Sequence, residues 1–247
     1  MNGVTLKVRS LLAILFVTVA TTVSGFASTA AGAEGPITSI VGGRKATEPY
    51  PFAVYIVDGC TGSLIKPNWV ITAKHCNPAV NSVRIGNNDR TKAKSVSVVE
   101  QVPHRYADVK LLRLAAPVSY APIRIPGPEA ATVGTATRLL GWGQTCDLPS
   151  CGPMSIHNNE FDTSVLPDSS CYKINAGHEI CTDNPNDGGD CYGDSGGPQI
   201  TKVDGVWNLI GSDSRGTGIH CGASPSIYVD LTSPAVRPWI AETVGGL

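Results

Sequence analysis

Cys191-Tyr192-Gly193-Asp194-Ser195-Gly196-Gly197-Pro198 is the stretch of this sequence best suited to nucleophilic chemistry. With Gly193 two residues before it and Gly196-Gly197 after it, Ser195 keeps its hydroxyl exposed. The nearby backbone N–H groups are unobstructed by side chains, as an oxyanion site requires. Alone, the string also reads as a glycine-rich turn. A second string, Trp69-Val70-Ile71-Thr72-Ala73-Lys74-His75-Cys76, closes a hydrophobic strand with a histidine, a residue type suited to general base work. A single histidine in such a place is more often structural. The third string is Ala107-Asp108-Val109-Lys110-Leu111-Leu112-Arg113-Leu114. It sets Asp108 at the mouth of an alternating apolar strand, where a carboxylate is buried only with a hydrogen-bonding partner.

The elements that must position these residues are short. Runs at 52–57, 69–72, 82–85, 95–102 and 109–114 read as strands of a first half, and runs at 136–142, 198–201, 207–212 and 226–230 as strands of a second. Pro117, Pro122, Pro126 and Pro128 interrupt the middle and suit a connector rather than a central strand, which places a boundary near Ile125. One helix is expected, over Val236–Val244, with Ser233-Pro234 as its start signal and Trp239, Ile240 and Val244 on one face. With 27 glycines and 18 prolines in 247 residues, a helical bundle is excluded and an all-β protein of closed barrels, which leaves no sheet edges exposed, is favoured. The charge balance, 19 Lys plus Arg against 20 Asp plus Glu, supplies no basic stripe, so nucleic acid is excluded as a partner. Charged residues make up 16% and apolar residues 42%, enough burial for a globular chain.

Eight cysteines allow complete pairing in an oxidising compartment. The first residues point to one. Lys7 and Arg9 precede an apolar run from Leu11 to Val23, and Ala31-Gly32-Ala33 offers a cleavage site, the layout of a secretory signal peptide. Thr18, Thr21 and Thr22 fall in the run, which is short for a membrane span of about 20 apolar residues. The expectation is a secreted, extracellular protein with no membrane association after signal cleavage. No Cys-x2-Cys pair and no acidic calcium-loop pattern after Ile85 is present, so no metal is expected, and the sequence has no N-glycosylation sequon, phosphate-binding glycine loop or internal repeat.

Taken together, the three strings resemble the chymotrypsin-like (trypsin-fold) serine endopeptidases, whose chain order is also His, Asp, Ser. Further matching strings are Ile40-Val41-Gly42-Gly43, Cys60-Thr61-Gly62-Ser63-Leu64-Ile65, Gly141-Trp142-Gly143, Ile180-Cys181 and Ser214-Arg215-Gly216. The resemblance implies two six-stranded antiparallel Greek-key barrels with the active site between them and a C-terminal helix. It divides the chain into a signal peptide (1–33), a short propeptide (34–39), first and second barrels (40–125 and 126–232) and the helix segment (233–247). It also implies a secreted peptide hydrolase with Ser195 as nucleophile, His75 as general base, Asp108 as its orienting carboxylate, and the Gly193 and Ser195 N–H groups as the oxyanion hole. His104, His157, His178 and His220 match no catalytic position.

The same resemblance makes Ile40 a mature N-terminus freed by cleavage, whose amine pairs with Asp194. Ser39 before the cut departs from the usual Lys or Arg, which argues against trypsin as the activator. It pairs Cys60 with Cys76, Cys171 with Cys181 and Cys191 with Cys221, leaving Cys146 with Cys151. A family bridge into the strand after the nucleophile has no counterpart at Thr201. The substrate pocket falls on Gly189, Asp190, Tyr192, Ser214, Arg215, Gly216 and Ser226. Asp190 favours Lys or Arg before the scissile bond. Arg215, which replaces a usual tryptophan and could neutralise Asp190, and Ser226, which narrows the pocket, leave a preference for small or apolar residues open. Lys74 beside His75 either repels a proton from it or carries its charge to solvent, the second being the expectation. The expected partners are polypeptide substrates and protein inhibitors of a monomeric enzyme without cofactors. A catalytically dead binding protein on the same fold would usually have lost one of His75, Asp108 or Ser195, and all three are present.

Overall fold

A computed structural model describes residues 1–3, 40–57 and 59–247. The expected leader and propeptide lie outside the described residues apart from the first three. β1 (Arg44–Lys45) is followed by β2 (Ala53–Ile56), β3 (Cys60–Lys66), β4 (Trp69–Thr72), β5 (Ser82–Ile85), β6 (Lys94–Pro103) and β7 (Lys110–Leu114). Strands β2 to β7 close into a six-stranded antiparallel barrel in the order β2-β3-β4-β7-β6-β5. The second half carries β8 (Ala136–Gly141), β9 (Asn159–Leu166), β10 (Glu179–Thr182), β11 (Pro198–Val203), β12 (Val206–Gly216) and β13 (Ser226–Asp230). Pairing of β8 with β9 closes these six into a second ring, and β1 adds to its β9 edge. The expected all-β fold of two antiparallel barrels is thus the fold observed.

One apolar cluster runs from Val54, Leu64 and Ile71 of the first barrel to Leu140, Trp142, Leu209 and Val229 of the second, so the two barrels share a core. That shared burial explains why β2, β3 and β4 are buried at nearly every position instead of alternating. Four strands, β1, β3, β9 and β10, escape the periodicity reading. In β9, Glu160 and Asp162 interrupt the apolar pattern, and β10 is only four residues long. Glu160 can be buried because its carboxylate is held by Arg44 Nε at 2.9 Å, Tyr50 Oη at 2.7 Å and Thr47 Oγ1 at 2.8 Å, with Arg138 3.4 Å away. Burial pushes its pKa up, but these hydrogen bonds and the arginine charge together hold it below the ordinary value. Glu160→Ala should cost about 1–3 kcal/mol, because Tyr50 and Thr47 lose their buried acceptor, while Arg44 and Arg138 keep Asp162 as a partner. A thermal unfolding midpoint unchanged from the parent would refute that role.

The helix, α1 (Arg237–Val244), begins one residue later than expected and has no side-chain cap. Ser233 acts through its carbonyl, which accepts the N–H groups of Val236 and Arg237 at 3.2 and 2.9 Å. Pro238 lies in the first turn, where its missing N–H costs no helical bond. Ile240 is buried, and Trp239 packs edge-on against the His104 ring at 4.9 Å.

Four disulfides join Cys60–Cys76, Cys146–Cys151, Cys171–Cys181 and Cys191–Cys221, with sequence separations of 16, 5, 10 and 30. In the chain-entropy picture the longest loop contributes about 3–4 kcal/mol and the shortest about 2 kcal/mol. Serine replacement of Cys191 and Cys221 is therefore expected to lower the unfolding midpoint more than replacement of Cys146 and Cys151. The reverse order in a calorimetric comparison would contradict this.

Candidate active site

The register of β4 against β7 brings two of the chemistry-bearing strings to one place. Thr72 at the end of β4 pairs with Lys110 at the start of β7, so His75, three residues after Thr72, and Asp108, two before Lys110, emerge at the same end of the barrel. Asp108 Oδ1 accepts the His75 backbone N–H at 3.0 Å, and Oδ2 lies 2.7 Å from His75 Nδ1. Ser214 Oγ donates a third bond to Oδ2 at 2.8 Å. Burial alone would raise the Asp108 pKa, but the bonds and charge of His75, with the Ser214 hydroxyl, bring it below the ordinary carboxylate value.

The turn that carries His75 is pinned from below. The Cys60–Cys76 bridge fixes one side. Lys110 Nζ, buried, donates to the carbonyls of Cys76 and Asn77 at 2.8 and 2.7 Å. Lys110 is a positioning residue that the periodicity reading passed over; a lysine inside an otherwise apolar strand was its signal. Lys74 is partly exposed, and its ammonium donates to the His104 carbonyl at 3.2 Å. His104 in turn accepts the N–H of Ala107 through Nδ1 at 2.9 Å, which shapes the turn into Asp108.

Ser195 sits in a loop clamped by both barrels. Its carbonyl accepts the Thr61 N–H at 2.9 Å, Gly196 N–H donates to the Asp213 carbonyl at 2.8 Å, and Gly197 N–H donates to the Asp194 carbonyl at 2.7 Å. Gly196 has φ of 79°, and a Cβ there would meet Thr72 Oγ1 at 2.1 Å and the Thr61 carbonyl at 2.5 Å, so only glycine fits. Among the described residues, the N–H groups of Gly193 and Ser195 have no acceptor. Behind the loop, the buried Asp194 carboxylate accepts Gly143 N–H at 2.7 Å and Cys191 N–H at 3.0 Å. Burial pushes its pKa up to about 7 despite these two bonds, with the charge of Asp190 adding to the rise. Ile40, fully buried, packs in the second barrel with Leu139, Phe161 and Ile210.

A cleft of about 320 Å³ opens beside Ser195 and His75 and is walled by residues 190–192, 213–218 and 220–222 with Ser224 and Ser226. Of the expected pocket residues, Asp190, Tyr192, Ser214, Arg215, Gly216 and Ser226 line it. Gly189 does not; its N–H bonds the Val41 carbonyl at 2.9 Å, which turns that residue toward the N-terminal strand. Asp190 is buried and accepts Tyr228 Oη at 3.3 Å and the Ser226 hydroxyl. Burial raises its pKa, and those hydroxyls oppose the rise. Ser226 therefore supports the carboxylate as well as narrowing the space. Arg215 does not neutralise Asp190, because its guanidinium is paired with Glu179 through two bonds of 2.8 and 2.9 Å and with the Lys173 carbonyl at 3.2 Å. The Cys191–Cys221 bridge ties the two walls together. A further buried carboxylate in the wall, Asp213, was missed in the sequence; it stands among Gly211, Ser212, Ser214 and Arg215 at the polar end of β12, where no apolar pattern marks it.

A family profile described as Trypsin matches residues 40–240. The chain belongs to the trypsin family. A trypsin of Saccharopolyspora erythraea is 35% identical over 217 residues, covering 76% of this chain and 92% of that protein. A trypsin of Gallus gallus is 30% identical over 230 residues, covering 83% and 89% respectively. Among solved structures, neuropsin, a serine protease of mouse brain, superposes with a TM-score of 0.73 at 24% identity over 83% of this chain and all of that one, a likeness of fold. A mutant of human heparin binding protein gives 0.71 at 26% identity, over 83% of this chain and 97% of that one.

As a trypsin-family member the protein is a serine endopeptidase acting on polypeptides. Where the family's bridge into the strand after the nucleophile is missing, Thr201 Oγ1 donates to the Ala136 carbonyl at 2.8 Å, so a hydrogen bond joins β8 to β11 there. Cys60, His75 and Cys76 bring potential ligand atoms within 4.8 Å of one another, but the two sulfurs are bonded to each other and supply no thiolate.

Proposed function

We propose that this trypsin-family protease cleaves peptide bonds through an acyl-enzyme formed on Ser195. The observation that carries the reading is the engagement of Asp108 at both oxygens by His75 and Ser214. A carboxylate bonded to Nδ1 keeps the proton on that nitrogen and leaves Nε2 as the base. His75 then takes the Ser195 hydroxyl proton as Oγ attacks the scissile carbonyl carbon. The carbonyl oxygen, now an anion, is received by the Gly193 and Ser195 N–H groups. Collapse expels the amine, which leaves with the proton from His75; water repeats the sequence to release the acid and regenerate Ser195. A phosphonyl fluoride is expected to add its mass to Ser195 alone, with loss of peptidase activity in proportion. An unlabelled Ser195 in active protein would refute the assignment.

The protein is made as a zymogen in this reading, with 1–33 a secretory leader, 34–39 a propeptide and the mature enzyme secreted as a monomer open to protein inhibitors. Cleavage before Ile40 frees an ammonium that pairs with Asp194. Two features support it: Asp194 is a buried carboxylate with no cation paired to it among the described residues, and Ile40 has φ of +63°. That torsion is unfavourable for a β-branched residue, by about 1–3 kcal/mol, and cutting the 39–40 bond removes the constraint.

Preference for Lys or Arg before the scissile bond follows from Asp190 in the cleft with Arg215 already engaged by Glu179. A buried carboxylate favours a cation that it would otherwise lack. Peptide substrates differing only at that residue test it, and faster cleavage after Ala or Phe than after Arg would reject the basic preference.

A further inference from the structure

We propose that Asp213 is a second specificity-determining carboxylate of the cleft, acting with Asp190 to seat the guanidinium of an arginine side chain. The inference rests on the reading of the cleft as a pocket for a basic residue and adds to it a group and a choice between arginine and lysine.

Asp213 stands in β12 opposite Tyr228 of β13, at a bulge that breaks the register between Asp213 and Arg215. A bulge re-aims side chains, and here Asp213 and Ser214, consecutive residues, both line the cleft. The main chain of Asp213 is fully used, with its N–H given to the Gly197 carbonyl at 2.9 Å and its carbonyl receiving Gly196 N–H at 2.8 Å. Its side chain is not. The residue is 3% exposed; its carboxyl takes a hydrogen bond from the Ser214 N–H, and Oδ1 is buried without a hydrogen-bond partner. Among the described residues no cation pairs with it. The ionisable groups acting on it are Asp190, Asp194 and Asp108, with Tyr228 opposite it, and all three carboxylates make ionisation harder.

Such an acid is costly to leave unpaired and costly to ionise alone. Two buried carboxyl groups in one cleft behave as a pair: repulsion keeps a proton on the pair until a cation arrives. Asp190 has hydroxyl donors from Tyr228 and Ser226, so the unpartnered Asp213 oxygen is the group for which an incoming donor gains most. A guanidinium offers five N–H donors in a planar fork and can serve two carboxylates at once, one in the loop before Cys191 and one in β12, whereas an ammonium offers three from a single point. Arginine is therefore preferred to lysine, and its binding releases a proton from the pair.

The test uses the mature enzyme, with each preparation normalised by phosphonyl fluoride titration of Ser195. In the parent, calorimetry of benzamidine binding in buffers of different ionisation enthalpy should show about one proton released per ligand near neutral pH. Asp213→Asn should bring that count near zero. It should lower kcat/KM for an Arg peptide by about 10- to 100-fold, leave an Ala peptide within about threefold, and erode the Arg-over-Lys ratio. A parent that prefers Arg but releases no proton overturns the role of Asp213. So does an Asp213→Asn enzyme with an unchanged Arg-to-Ala ratio, or one slowed equally on every substrate. A parent with no preference for basic residues, accompanied by an Asp190→Asn enzyme of the same selectivity, instead overturns the underlying reading of the pocket.

Discussion

Replacement of Ser195 by alanine is expected to slow peptide turnover by roughly 10⁶-fold, the scale on which serine proteases lose activity when nucleophile or base is removed. His75→Ala should match it, and the double variant should be little worse, because nucleophile and base act as one unit. Asp108→Asn should cost about 10⁴-fold, a magnitude carried over from this family's best-studied triad. The physical cause is visible in this molecule: an amide at that position would present an N–H toward His75 Nδ1 or lose one of the three donors now bound to the carboxylate. Ser214→Ala removes only one of those donors and should cost about tenfold or less. Single-turnover kinetics with an ester substrate would measure all of these, and a Ser195→Ala protein within a hundredfold of the parent would sink the mechanism.

The second large effect concerns Asp194. Cleavage before Ile40 is expected to raise kcat/KM by about 10²- to 10³-fold, since a buried ion pair missing one partner costs about 3–5 kcal/mol. The pH dependence gives a separate signature. In the uncut chain the Asp194 pKa is pushed up to about 7, above the unfolded value. A carboxyl with a raised folded pKa leaves stability intact below about pH 4 and lowers it as pH rises toward 7, here by an amount on the order of 4 kcal/mol. In the cut chain the Ile40 ammonium offsets that loss until it deprotonates, above its reference pKa of ~8 because its partner raises it. Unfolding midpoints of cut and uncut Ser195→Ala protein should therefore coincide near pH 4, separate by pH 7 and converge again at alkaline pH. Superimposable curves, or a mature terminus found elsewhere than Ile40, would refute the switch.

Much of the site was legible because its residues are punctuated by strong local signals. Glycines around Ser195 mark a loop that no side chain may crowd, and the structure gives the reason at Gly196, where a Cβ would strike Thr72 and Thr61. His75 and Asp108 were legible as the closing and opening residues of two apolar strands. That those strands are antiparallel neighbours, with Thr72 opposite Lys110, is a matter of register that no local pattern specifies. Strands β9 and β10 were not legible, since burial of Glu160 depends on Arg44, Tyr50 and Arg138, residues 22 to 116 positions away that only folding brings together.

The pocket shows the division most sharply. From sequence, Gly189, Asp190, Arg215 and Ser226 belonged to one region, and whether Arg215 cancelled the charge of Asp190 stayed open. Tertiary structure decided it, because Glu179 from another strand takes the guanidinium and leaves Asp190 and Asp213 in the cleft. Sequence by itself determined the residue types able to do the chemistry, the order of strings that places the chain in its family, and the β character set by short apolar runs and many turns. Only the folded chain determined which charges meet. An ion pair is worth little or much according to its distance and its removal from water, and both are properties of residues far apart in the chain.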